Sequence, residues 1–316
     1  MPFTKLLIPL VKEQEITPHL NNVLNIADKC SAKITLLMVI EGMNELEEIS
    51  KYSAKTLDIL DKVTKIYYAQ LKTLVRELRV KHTNIEFNTQ VRIGIPFIEI
   101  IQCAREEQSD FIVIDSHREG KAQACQRGST TLHLMRKSET PIWSTASKLH
   151  SSKKILAAID LDEQVSPSLC EKIVSAAHSL CKVTDSELTL CHIWELESEG
   201  FLRKWSGYND SDIDQLTEKM HSQRIKKITT LMDNLFESDR SVKINIRLIQ
   251  GHAKDKLPEI IRQEAFDVTF LGSMSRAGIA GYLMGNKAEF WLNELDATVV
   301  TLKPDEFTSP ITAKIR

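Results

Sequence analysis

The chain has 316 residues, with 41 Lys plus Arg against 43 Asp plus Glu, 42% hydrophobic and 27% charged residues. A formal net charge of −2 gives no global attraction for nucleic acid or an anionic membrane, and the six cysteines include no CxxC or CxxxC pair that would suit zinc or dithiol chemistry. No stretch reaches the roughly 18 apolar residues of a membrane-spanning helix, so the expected setting is a reducing cytoplasm, with no nucleic acid, membrane or metal as partner.

At roughly 150 residues per domain the length suggests two domains. The run Lys5-Leu6-Leu7-Ile8-Pro9-Leu10 is too short for a signal-peptide core and reads as a strand. Thr17-Pro18 follows, a capping hydroxyl with proline at the first helical position, and marks a helix start. Ile34–Glu41 is a second strand. Leu57, Leu60, Val63, Ile66, Tyr67, Leu71, Leu74 and Leu78, at spacings of three and four, predict a long helix with one buried stripe, Tyr67 included in the core. Gly94 precedes a third helix, Asp110–Ile114 is a fourth strand, Gly128-Ser129-Thr130 opens a further helix, and Pro141-Ile142-Trp143 leads the last strand.

The pattern then starts again. Lys154–Ile159 repeats Lys5–Leu10 at an offset of 149, and Leu188–Glu195 repeats Ile34–Glu41 at 154. Asp267–Leu271, Gly251, Gly285 and Thr298–Val300 repeat Asp110–Ile114, Gly94, Gly128 and Pro141–Trp143 at 157. The extra five and then three residues are expected in connecting segments, where a duplicated fold tolerates insertion. Ser166-Pro167 repeats the helix start, and Ile213, Leu216, Met220, Ile225, Ile228, Leu231, Met232 and Leu235 repeat the stripe; the neighbouring Arg224, Lys226 and Lys227 read as a solvated face. Continuous apolar runs alternating with helical periodicity predict an α/β fold, two tandem doubly wound five-stranded parallel sheets, each interleaved with four helices. The expected boundaries are 1–146, a linker 147–153, 154–304 and a tail 305–316.

In open parallel sheets, ligands sit beyond the carboxyl ends of the strands where the strand order reverses. In copy two these positions hold Asp160 with Asp162 nearby, Ile193-Trp194, the run Leu271-Gly272-Ser273-Met274-Ser275-Arg276, and Gly285-Asn286 at a helix start. A strand-end carboxylate accepts from ribose or base donors, small residues admit phosphate, and a helix N-terminus offers free N–H groups.

The stretch from Asp267 to Arg276 with Gly285-Asn286 resembles the signature of universal stress proteins: glycine, two residues, glycine, nine residues, glycine, then serine or threonine. Counting from Gly272 reaches Ser275 and then Gly285 in register, and the likeness, to the tandem two-domain type, covers essentially the whole chain. The resemblance implies a stress-response role without an established reaction, and ATP held by Asp160, Ile193, Leu271, Gly272, Ser275, Gly285 and Asn286. It also implies that Pro141–Thr145 and Thr298–Leu302 pair the halves as an internal pseudo-dimer. The partners to look for are an adenine nucleotide or other small ligand, an unknown protein, and a second copy of the pseudo-dimeric monomer.

Departures weaken the ATP site expected in copy two: a serine stands at the second glycine and an asparagine at the final hydroxyl position. In copy one the corresponding site, Val39 with Gly128, Ser129 and Thr130, is degenerate, since Val11 replaces the strand-one Asp, Asp115 the first glycine and Arg118 the second. A carboxylate at Asp115 repels phosphate, so copy one reads as mainly structural. Phosphate-loop, GxGxxG, GxSxG and HExxH motifs are absent, and His117, His133, His192 and His252 lack metal-ligand spacing. The leading expectation is a non-catalytic adenine-nucleotide sensor. A scaffold binding an apolar or unrelated small ligand is the second reading; a weak ATP hydrolase, with no evident general base, is the third.

Overall fold

The structure is a computed structural model and describes residues 3–12, 14–115, 128–145, 153–161, 167–196, 198–205, 207–237, 239, 241–272 and 297–312. They fall into two compact units, Met1–Leu149 with Ser273–Arg316, and His150–Gly272.

The first unit runs β1 (Lys5–Leu10), α1 (Pro18–Lys29), β2 (Lys33–Ile40), α2 (Asn44–Ser50), α3 (Ala54–Lys81), β3 (Glu86–Ile93), α4 (Pro96–Glu106), β4 (Phe111–Ile114), α5 (Ser129–Lys137) and β5 (Ile142–Ser144). Its strand order is β3-β2-β1-β4-β5, parallel throughout, with the order reversing beside β1. That is the doubly wound arrangement. Strands β1 and β2 are largely apolar runs because helices cover both faces, and most residues in them are buried. Phe3 stacks on Phe111 at 4.8 Å between ring centres, and both meet Trp143 edge-on. Thr17 caps α1, its hydroxyl accepting from the Leu20 N–H at 3.2 Å, with Pro18 in the first turn.

The same unit contains β10 (Thr298–Leu302), which pairs antiparallel with β5, Val300 opposite Trp143. This is the strand pairing expected from the family resemblance. Beyond β10, residues 305–312 are docked on the unit: the Ser309 N–H and the Thr312 hydroxyl both donate to Glu139, at 2.6 and 3.0 Å, and Arg105 donates to the Thr312 carbonyl at 3.3 Å.

The second unit holds β6 (Lys154–Ala158), α6 (Pro167–Thr184), β7 (Glu187–Trp194), α7 (Glu199–Trp205), α8 (Asp210–Phe236), β8 (Ile244–Gln250), α9 (Ala253–Glu264) and β9 (Val268–Gly272). Its strands lie parallel in the order β8-β7-β6-β9. Two repeated pairs show how the duplication builds the fold. Asp110 accepts from the N–H groups of Thr4 and Lys5, both at 2.9 Å, and Asp267 accepts from the Lys154 N–H at 3.3 Å, so a carboxylate ahead of β4 or β9 anchors the start of the central strand. Gly94 and Gly251 end β3 and β8 at φ +156° and +138°, and over each lies the side chain five residues on, Glu99 or Lys256.

Three expectations are corrected. The five extra residues of copy two lengthen a helix, 18 residues in α6 against 12 in α1, instead of entering a loop. The connection after the second strand carries a short helix in each copy, α2 or α7, whose seven residues are too few to display a period. Lastly, the α3 stripe is buried at Leu60, Leu71, Val75 and Leu78, whereas Leu57 in the first turn is 49% and Ile66 53% exposed. Tyr67 and Met232 are half-buried.

Candidate functional site

In the second unit the strand order reverses between β6 and β9, and the candidate residues gather at the carboxyl ends there. Register sets Ala158 opposite both Cys191 of β7 and Leu271 of β9, so Asp160, two residues past the end of β6, lies next to the end of β7 and to Leu271-Gly272. Ile193 and Leu271 are buried at the strand ends; Asp160 and Gly272 are half-buried. The turn carrying Asp160 is fixed by three bonds around it. The Ile159 N–H donates to the Cys191 carbonyl at 2.9 Å, His192 Nδ1 lies 3.1 Å from the Ile159 carbonyl, and Cys170 Sγ of α6 donates to the Asp160 carbonyl at 2.9 Å.

Gly272 has a packing reason to be glycine: an added Cβ falls 2.9 Å from Leu169 Cδ2 and 3.6 Å from Ile173 Cδ1, both on α6. Its bare backbone lets β9 end against that helix. Burial pushes the Cys170 thiol up, and pushes the Cys181 and Cys191 thiols up to about 12, so these cysteines pack as small apolar residues. Ser275, Gly285 and Asn286, together with Asp162, lie outside the described residues.

Around this edge are groups that sequence reasoning missed. The Arg224 guanidinium lies 4.4 Å over the Trp194 ring, so this residue of the supposed solvated face instead turns inward from α8 at the end of β7. His252 Nδ1 pairs with Glu195 Oε2 at 2.6 Å, and the Gly251 N–H donates to the Trp194 carbonyl at 2.8 Å. Glu195 and His252 are the first polar residues past β7 and past Gly251, a positional signal available from the strand ends alone. His192, by contrast, is fully buried.

The equivalent edge of copy one is built differently. Val11 is 67% exposed, Val39 is half-buried on β2, and Gly128 caps α5 without a side-chain hydrogen bond, followed by Ser129 and Thr130. Asp115, at the first-glycine position, is engaged on both oxygens: Oδ2 accepts from the Thr17 hydroxyl at 2.5 Å and Oδ1 from the Thr145 hydroxyl at 2.9 Å. The carboxylate therefore ties the end of β4 to the cap of α1 and to the residue after β5. Arg118 and His117 lie outside the described residues. Among the described residues no group of three or more His, Cys, Asp or Glu is placed to hold a metal ion, and no helix is long and apolar enough to cross a membrane.

Fold and site together define a tandem α/β protein whose two copies differ at the carboxyl ends of their parallel strands. The model of the universal stress protein family matches residues 3–144 and 151–303, and the chain belongs to that family, as two tandem domains. Universal stress protein E of Salmonella typhi is 23% identical over 220 residues, 68% of each chain, and that of Escherichia coli (strain K12) is 22% identical over 223 residues, 68% of this chain and 67% of its own. Among solved structures, a functionally unknown protein from Pseudomonas aeruginosa PAO1 aligns with a TM-score of 0.69 at 19% identity, covering 99% of this chain and 95% of its own. A universal stress protein from Archaeoglobus fulgidus DSM 4304 aligns at 0.57 and 15% identity, covering 96% and 99%. The structural likenesses speak for the fold.

Proposed function

We propose that this protein is a non-catalytic, cytoplasmic stress-response protein whose second copy binds an adenine nucleotide, ATP in the first instance, at the carboxyl ends of β6, β7 and β9. The observation that carries this reading is the placement of Asp160 beside the ends of β7 and β9, at the reversal of strand order, where a carboxylate accepts from ribose hydroxyls. In this reading the Ile193 backbone meets the base edge, Leu271 and Gly272 line the approach, and Ser275, Gly285 and Asn286 receive the phosphates. Binding is weaker than a full glycine motif gives, because the Ser275 side chain crowds a close phosphate. Copy one serves as the structural half: the charge that would oppose a phosphate there is already committed to Thr17 and Thr145.

Isothermal titration of the full chain with ATP tests this. One saturable site per chain is expected, lost in Asp160→Ala with the far-ultraviolet circular dichroism unchanged. Absence of any ATP heat or thermal shift, with a different small molecule retained from expression and identified by mass spectrometry, sinks the nucleotide reading in favour of an unrelated ligand. Phosphate release above the buffer rate that vanishes in Asp160→Ala overturns the non-catalytic part.

A further inference from the structure

Helix α3 turns Leu60, Leu71, Val75 and Leu78 to the core. At about 100° per residue, the opposite face runs through Ile59, Ile66, Thr73 and Val80, seven residues apart, and Tyr52 stands in the turn just ahead of the Ser53 cap. The outward face of a surface helix is ordinarily polar. Here Ile59 is 50%, Ile66 53%, Val80 81% and Tyr52 91% exposed. The duplicated helix supplies the contrast, for every exposed residue of α8 is polar, Gln215, Ser222 and Thr229 among them. An apolar outward stripe is therefore peculiar to copy one.

The stripe is self-complementary when reversed about Ile66. In an antiparallel pair with Ile66 on the twofold axis, Ile59 meets Thr73, and Val80 lies level with the turn ahead of the Ser53 cap. The same reversal sets Lys55 against Glu77, both within about 20° of the stripe's centre line. A parallel pairing sets each of these charges against itself. We infer that the outward face of α3 docks on α3 of a second copy of this chain, as an isologous antiparallel helix pair centred on Ile66.

Sedimentation velocity of the full chain tests the inference. A concentration-dependent dimer is expected, converted by Ile66→Glu to a monomer whose far-ultraviolet circular dichroism is unchanged and whose melting temperature no longer depends on protein concentration. Lys55→Glu is expected to weaken the dimer about tenfold, since the symmetry counts each lost pair twice, and Lys55→Glu with Glu77→Lys to restore it. On oxidation, Ile66→Cys cross-links to itself across the axis, whereas Ile59→Cys cross-links only to Thr73→Cys in a mixture. A wild-type chain that stays monomeric at about 100 μM overturns the inference. So does a dimer that survives Ile66→Glu, or an Ile66→Cys chain that does not cross-link.

Discussion

Asp115 is the point at which sequence reasoning and structure assign the same residue different work, and its removal has a calculable cost. A relay runs from the Leu20 N–H to the Thr17 hydroxyl at 3.2 Å, and from that hydroxyl to Asp115 Oδ2 at 2.5 Å, while the buried Thr145 hydroxyl donates to Oδ1 at 2.9 Å. A hydrogen bond to a charged acceptor contributes about 1.5–3 kcal/mol, and Asp115 is half-buried, so the lower figure applies twice. Asp115→Ala is thus expected to destabilise the first unit by about 3 kcal/mol, and Asp115→Asn, which keeps one carbonyl acceptor, by about 1 kcal/mol. Native-state hydrogen exchange reads both quantities: central amides of β1 and β2 report the stability of the unit, and the Leu20 amide reports the cap. A loss below about 0.5 kcal/mol in Asp115→Ala, or a Leu20 amide that exchanges as slowly as before, refutes the account of Asp115 as a tie between β4, α1 and β5.

Lys303, 7% exposed and 4.5 Å over the Phe307 ring, is held by burial down to about 8, below its ordinary 10.5. Its folded value lies below the unfolded one, so between these two pH values the unfolded chain binds more protons and stability rises with pH, by up to roughly 3 kcal/mol; urea titrations from pH 7.5 to 10.5 should show the rise in wild type and lose it in Lys303→Met. Gly94→Ala places a Cβ 2.6 Å from Glu99 Oε1 at a φ that side chains rarely adopt, and displaces Glu99 from its 3.8 Å approach to Arg92. About 1–3 kcal/mol of destabilisation is expected, more than for Gly251→Ala, where the nearest atom is Lys256 Cγ at 3.2 Å; equal melting temperatures for the two variants contradict it. Glu139→Ala removes the shared acceptor of Ser309 and Thr312, costs about 1–2 kcal/mol, and exposes the segment after Pro304 to protease; unchanged cleavage rates count against the docking described here.

Much of the architecture is legible in the sequence. The offset of 157 paired Asp110 with Asp267 and Gly94 with Gly251, and in each pair the structure uses both members for the same local task. Such residues are legible because backbone geometry constrains them where they stand: a strand-start carboxylate meets adjacent N–H groups, and a positive φ selects glycine. The position of Asp160 was equally legible, as a strand end in a parallel sheet. Arg224 was not, since charge beside other charges reads as solvated until a neighbouring strand presents the Trp194 ring. The docked tail was not either, because Glu139 and Ser309 are 170 residues apart and each is unremarkable alone.

By itself, the sequence determined that there are two copies, that their strands are parallel and covered on both faces, and where each turns into its next helix, because period, caps and glycines are local properties. Only the tertiary structure decided which face of α3 is buried and that its opposite face keeps an apolar stripe, since spacings of three and four admit stripes on either side. It also decided that Asp115 serves structure, for a carboxylate's role depends on the hydroxyls that long-range folding brings to it. The two halves began as repeats of one pattern, and they part at the strand ends: in the first a charge is bound internally, and in the second Asp160 stands at the candidate site.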